Sequence, residues 1–301
     1  MDLDSSGRAR PLEPTSTSVQ NALANSTPPD IPHVVIESEE SGVQLNLGDL
    51  WAYRELLYFL TLRDIKVRYK QTLMGAVWVV IQPLMTMLIF TLIFNKFARL
   101  NTGDIPYPLF AYAGLLLWTF FSNAVTSGTF SLVNNSHLVT KVYFPRVFIP
   151  AAAVGAGLVD LGIASLLLIG LAIYYGVSPS WSALMLPVIV LLAAMLALGT
   201  GMLVSALTVK YRDLRHALPF VMQFWMFASP VIYPMSIVPP EWRWILLINP
   251  MTGLLEGFRA ALTGQTFDWT IIGVSALVAT TLLAVAFYVF RGLEDTFADV
   301  I

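Results

Sequence analysis

The sequence predicts an all-α polytopic membrane protein with six transmembrane helices. Three observations carry that expectation. Six segments are mainly apolar over about 20 residues or more, the length that crosses the hydrocarbon core of a bilayer. Of 301 residues, 56% are hydrophobic and 12% charged, with a mean hydropathy of +0.70. Soluble domains carry charge on roughly 25% of residues. Finally, lysine and arginine concentrate in alternate connections, as in chains threaded with their basic loops inside.

Residues 1–45 form a polar arm rich in Pro, Ser and Thr, without the apolar stretch of a signal peptide. This composition reads as mostly disordered and cytoplasmic, with His33-Val34-Val35-Ile36 as one short strand. Residues 46–72 read as an amphipathic interfacial helix, with Asp49 as N-cap and a break near Thr61. Trp51, Leu56, Leu57, Phe59, Leu60 and Leu62 supply its apolar surface, and Arg63, Lys66 and Lys70 share a face. Asp64 and Arg68 form an i,i+4 pair in the favourable order. Such a helix lies along the cytoplasmic membrane surface. Its polar face meets either lipid alone or a cytoplasmic partner as well.

The transmembrane region, 73–291, places spans near 76–94, 107–133, 148–175, 183–209, 218–238 and 269–290, before a cytoplasmic tail at 292–301. Arg54, Arg63, Lys66, Arg68 and Lys70 precede span one. Lys141 and Arg146 join spans two and three, Lys210, Arg212 and Arg215 join four and five, and Arg291 follows six. The other connections hold Lys96, Arg99, Arg243 and Arg259. The balance puts both termini in the cytoplasm. Among Trp78, Trp118, Trp181 and Trp269, those at span ends fit an interfacial aromatic belt.

Span four carries Ala193, Ala197, Gly201 and Ser205 at four-residue intervals, a stripe that permits close helix contact, either inside the bundle or at a dimer seam. Pro219, Pro230 and Pro234 punctuate span five, where each removes a helical hydrogen bond. Residues 236–267 are too long for a turn and too interrupted for a span. They read as two short re-entrant helices divided at Asn249-Pro250, a candidate gate, because re-entrant backbone needs protein or a wet cavity around it.

Catalytic chemistry is missing from the pattern. No G-x-x-x-x-G-K-[ST] phosphate loop occurs, and Gly199-Thr200-Gly201 sits in an apolar run as packing. His33, His137 and His216 are dispersed, there is no cysteine, and no H-E-x-x-H or carboxylate-rich cluster suggests a metal. The serines lack a positioned base. The expectation is a chain with no catalytic site, no cofactor and no metal. Two acids stand out. Asp160 lies inside span three, where a carboxylate is either functional or holds a neighbouring helix by a hydrogen bond. Glu256 is either a gating residue or the ion-pair partner of Arg259 three positions on.

The string L-R-D-I-K-V-R-Y-K-Q-T-L-M-G-A-V-W at 62–78, with Gln82-Pro83-Leu84, resembles the start of the membrane subunit of bacterial polysaccharide exporters of the type-2 ABC permease family. Further strings match in order: Lys141-Val142-Tyr143-Phe144-Pro145-Arg146 and Val209-Lys210-Tyr211-Arg212-Asp213-Leu214-Arg215. Then follow Ser229-Pro230-Val231-Ile232-Tyr233-Pro234, Asn249-Pro250-Met251-Thr252-Gly253 and Glu256-Gly257-Phe258-Arg259. The likeness spans about 45–291 and is nearest to the O-antigen branch.

This resemblance implies a homodimer in the bacterial cytoplasmic membrane, joined to two copies of a separate nucleotide-binding subunit that holds ATP and Mg. The cargo would be an undecaprenyl-linked polysaccharide, and the chain itself would be no enzyme. ATPase coupling would fall to Arg63, Lys66, Arg68 and Lys70, to a short helical lever with Leu138, Lys141, Tyr143 and Arg146, and to Lys210 and Arg212. Trp242, Asn249, Pro250, Glu256 and Arg259 would form the periplasmic gate. Phe90, Phe94, Trp118, Phe121, Phe224 and Trp225 are either candidates for a translocation path, since aromatic faces suit the apolar faces of sugars, or ordinary packing and lipid-facing aromatics. Two other classes stay open. A self-sufficient secondary transporter or channel needs ion sites at mid-membrane, for which Asp160 is the one candidate. A membrane-embedded glycan or lipid enzyme needs a catalytic constellation. Nothing points to nucleic acid.

Overall fold

A computed structural model describes residues 53–70, 75, 77–97, 102–103, 105–141, 144–178, 180–211 and 213–300. The chain divides into two units, Met1–Gly42 and Val43–Ile301, and every described residue belongs to the second. The arm, its strand at 33–36 and the Asp49 cap therefore lie outside the described residues, as do Tyr143 and Arg212.

The described residues are helical almost throughout. In chain order the helices are α1 (Arg54–Lys70), α2 (Val77–Phe90), α3 (Tyr107–Asn134), α4 (Ser136–Lys141) and α5 (Phe148–Tyr174). They continue with α6 (Leu186–Lys210), α7 (Leu214–Phe227), α8 (Arg243–Ile248), α9 (Pro250–Thr263) and α10 (Trp269–Val300). A π-helical turn, Thr91–Phe97, extends α2, and a 3-10 turn, Trp181–Met185, leads into α6. Five stretches are long and apolar enough to cross a bilayer: Val77–Phe94, Tyr107–Asn134, Phe148–Tyr174, Trp181–Val209 and Trp269–Glu294.

The expected fifth span is not a continuous helix. Pro219 is accommodated inside α7, but α7 ends at Phe227 after 14 residues. That is about 21 Å at 1.5 Å per residue, short of a hydrocarbon core of about 30 Å. Pro230 and Pro234 then hold the chain non-helical. The re-entrant pair divides at Asn249-Pro250 as expected, with a bend of 96° between Pro240–Ile248 and Pro250–Thr263. Asn249 caps α9 by accepting from the Met251 N–H at 3.1 Å, and Gly264 ends it at φ 76°, in the left-handed region that glycine favours.

The core is organised around α3, which packs on α5 and α6, while α10 covers the far side of α6. Almost all of α3 from Leu109 to Val125 is buried. The small-residue stripe of α6 lies inside the bundle: Ala193, Ala197, Gly201 and Ser205 are all buried. A Cβ on Gly201 would sit 3.6 Å from the Gly128 Cα of α3, so the two backbones touch there. On the opposite side of α6, a Cβ on Gly199 would come within 3.0 Å of the Leu283 backbone of α10.

Two local expectations for α1 are corrected. No break occurs at Thr61, whose hydroxyl donates to the Leu57 carbonyl at 2.8 Å within one 17-residue helix. Asp64 does not pair with Arg68. It accepts from Arg63 Nε and Nη2 at 3.1 and 2.8 Å, while Arg68 turns to Asp160 of α5. The cause is tertiary: α1 packs along α5, with Thr61 3.1 Å from where a Gly155 Cβ would be. α10 also runs on helically through the expected boundary at 292.

Candidate functional site

Three regions gather the residues singled out in the sequence. The first is a knot where α3, α7 and α9 meet. Helix α7 stops at Phe227, so its last carbonyls need donors from elsewhere. Ser229 Oγ donates to the Trp225 carbonyl at 2.8 Å, and Tyr233 Oη to the Phe227 carbonyl at 3.1 Å. Asn249 Nδ2 donates to the Ala228 carbonyl at 3.2 Å and to Ser229 Oγ at 2.8 Å. Its Oδ1 accepts from Trp225 Nε1 at 3.0 Å, so one amide joins the loop, α7 and α9.

Arg259 completes the knot from α9. Its Nη1 donates to the Pro230 carbonyl at 2.8 Å, its Nη2 to the Val231 carbonyl at 2.6 Å, and its Nε to the Phe110 carbonyl at 3.3 Å. The guanidinium also lies over the Phe110 ring, 3.6 Å from the centroid. Tyr107 Oη reaches the next carbonyl, Ile232, at 2.9 Å. Three successive carbonyls of a non-helical segment are thus paired with side chains, which lets it lie inside an apolar bundle. Gly114 is required there, because a Cβ would meet the Val231 carbonyl and Arg259 Nη2. Glu256 pairs with Arg259, 3.2 Å from its Nη1, and is a third exposed.

The second region is an apolar platform beneath the short helix α4. Val139 of α4, Leu60 of α1, Phe144 and Phe148 near the start of α5, and Phe290 of α10 form one buried cluster. Lys141 and His137 face outward from it, and Leu138 packs partly against it. Asn135 Nδ2 ties the turn before α4 to the Ser131 carbonyl at 2.8 Å. The Arg146 N–H donates to Glu294 of α10 at 2.8 Å, while its Nη1 is buried without a hydrogen-bond partner among the described residues. Lys66 and Lys70 are exposed on α1. Only the backbone of Lys210 is described.

The third region is a cavity of about 310 Å³ between α1, α2, α3 and α5. Asp160 lies twelve residues into α5, about 18 Å along its axis. Arg68 Nη1 donates to its Oδ2 and Tyr69 Oη to its Oδ1. Burial of the Tyr69 phenol, aided by this hydrogen bond and the nearby carboxylate, pushes its pKa up to about 12 against a small opposing effect of Arg68. The intramembrane acid is therefore the anchor of α1 on α5.

The aromatic candidates divide. Trp118 and Phe121 are buried and pack edge-on against Trp225, with centroids 6.4 and 5.1 Å from its ring. Phe90 and Phe94 are half-buried neighbours at 5.8 Å. Phe224 is exposed, beside Phe220 and Phe227 on the same helix, and Trp242 is exposed on the approach to α8. Sequence reasoning missed Tyr107, Phe110 and Gly114 at the knot, because nothing local marks a residue that serves a distant loop. It also missed Thr119, Asn123, Thr126 and Ser127 of the cavity. Their i, i+4, i+7, i+8 spacing is a polar stripe along an apolar span and was legible.

The long apolar helices and the bent pair define a multi-pass membrane protein. Residues 55–263 match the family described as ABC-2 type transporter, and the chain belongs to that family. It is 31% identical over 254 residues to the O-antigen export system permease protein RfbA of Myxococcus xanthus, covering 83% of this chain and 97% of that one. It is 28% identical over 261 residues to RfbA of Klebsiella pneumoniae, covering 86% and 98%. The polysialic acid transport protein KpsM of Escherichia coli is 22% identical over 238 residues, covering 78% and 92%.

Proposed function

We propose that this chain is the membrane-spanning subunit of an exporter that moves an undecaprenyl-linked, O-antigen-type polysaccharide out across the bacterial cytoplasmic membrane. It works as a homodimer, with both termini cytoplasmic, and a separate pair of nucleotide-binding subunits supplies ATP hydrolysis. The observation that carries this reading is the likeness to O-antigen export permeases over nearly their whole length.

The geometry supports it in three ways. Lys141 stands outward on a helix seated in the same apolar cluster as α1, so a push on α4 or α1 reaches α5 and α10 together. The knot of Asn249, Pro250, Glu256 and Arg259 gives a gate at the other end, with Trp242 exposed beside it. The apolar faces of α2 and α7, with Met85, Ile89, Phe220 and Phe224 exposed, suit the second copy and the path between copies. A secondary transporter is less well supported, since the charge of Asp160 is already matched by Arg68.

Deletion of the gene tests the function. The expected result is lipid-linked polysaccharide accumulating inside the cell while the surface polymer disappears. Unchanged surface polymer sinks the reading.

A further inference from the structure

The cavity beside Asp160 has hydrogen-bonding groups that the fold leaves unused. Gln82 of α2 and Thr119, Asn123 and Ser127 of α3 line it, and their side chains have no hydrogen-bond partner among the described residues. Gln82 and Asn123 line it and are exposed, although both lie within membrane-crossing stretches. Amides facing hydrocarbon there are costly, so the space must hold water or a polar guest. Trp78, 57% exposed, stands at its rim where α2 begins.

The chemistry of the lining narrows the guest. Arg68 is neutralised by Asp160, so the site carries no net charge. A phosphate offers acceptors only and would meet the Asp160 carboxylate. A sugar hydroxyl both donates and accepts, and it matches a lining with a carboxylate, a guanidinium, two amides and three hydroxyls. Trp78 and Phe120 add aromatic faces for the apolar side of a pyranose. The volume of about 310 Å³ is at the small end of small-molecule sites, about 300–1,000 Å³.

We propose that this cavity is a binding subsite for one uncharged sugar residue, formed between α1, α2, α3 and α5 on each protomer. It rests on the exporter reading for the identity of its natural guest, a residue of the exported glycan. Because α1 forms one wall through Arg68, occupancy is sensed by the same helix that shares the platform with α4.

The test measures binding directly, apart from export. The full chain in lipid nanodiscs is titrated with uncharged methyl glycosides of mannose, galactose and N-acetylglucosamine, and with inorganic phosphate, following saturation-transfer NMR. At least one glycoside should bind saturably, and Gln82→Ala and Asn123→Ala should each weaken it about tenfold with unchanged thermal midpoints. Asn123→Asp provides a second variant that keeps the size of the side chain. Absence of saturable glycoside binding, binding unaffected by these variants, or phosphate competing for the same site would overturn the subsite. Normal export without glycoside binding overturns the subsite alone. Glycoside binding in a chain whose deletion leaves export intact overturns the exporter reading alone.

Discussion

Arg259 shows how one side chain can hold an irregular segment in a membrane. It is buried and donates to the carbonyls of Phe110, Pro230 and Val231. Removing it leaves those carbonyls unpaired in an apolar setting, at about 1–3 kcal/mol for each buried polar group left unsatisfied, so Arg259→Met should lower stability by several times the effect of Glu256→Gln, seen as a fall in the thermal midpoint in detergent. Glu256→Gln should cost less than about 1 kcal/mol, because that carboxylate is partly exposed. Equal losses in the two variants would contradict this division. The pairing of Glu256 with Arg259 was legible from their spacing. The three carbonyls were not, because they lie up to 149 positions away.

Tyr69 offers a second test at the same scale. Burial, with the Asp160 carboxylate beside it, pushes its phenol up to about 12, against an ordinary value of about 10. A raised value means that the folded state favours the protonated phenol. Its contribution to stability is therefore complete below pH of about 10 and is lost as pH rises through about 12. Relative to Tyr69→Phe, the wild type should lose stability across that window. Identical alkaline unfolding curves would show that the phenol does not sit against Asp160.

At the scale of elements, close backbone approach sets the bundle. Gly199 of α6 faces the α10 backbone at Leu283, with no space for a Cβ. Gly199→Ala should cost about 1–3 kcal/mol from overpacking. Gly162→Ala, on a face of α5 with nothing within 4 Å, should be neutral or stabilise by about 0.4–1 kcal/mol. Comparable effects on the thermal midpoint would argue against the helix contact. Lys141→Glu reverses the charge on the exposed side of α4 while Val139 keeps its seat. Hydrolysis in the assembled transporter should then continue while export falls, with insertion and stability unchanged; export at the normal rate would remove α4 from the coupling. Helix positions were readable because each long span needs only its own apolar run. The expected fifth span is a short helix, α7, followed by a non-helical segment, because the helix length there is decided by where Pro230 and Pro234 can be accommodated.

For the whole molecule, the division of labour gives the plainest test. The purified chain should show no ATPase activity, and activity should appear only when a nucleotide-binding subunit is co-expressed and retained through purification. Turnover by the chain alone would refute it. Class, helix order and the re-entrant division follow from the sequence itself, since the cost of placing charge and unpaired backbone in hydrocarbon dictates them one segment at a time. The contacts between those helices were set by tertiary structure. Arg68 chose Asp160 over Asp64, Arg259 found carbonyls on α3 and the loop after α7, and a polar stripe on α3 closed into a cavity. Each of these depends on which helix lies beside which, and that is fixed by packing of whole faces, a property no local stretch of residues contains.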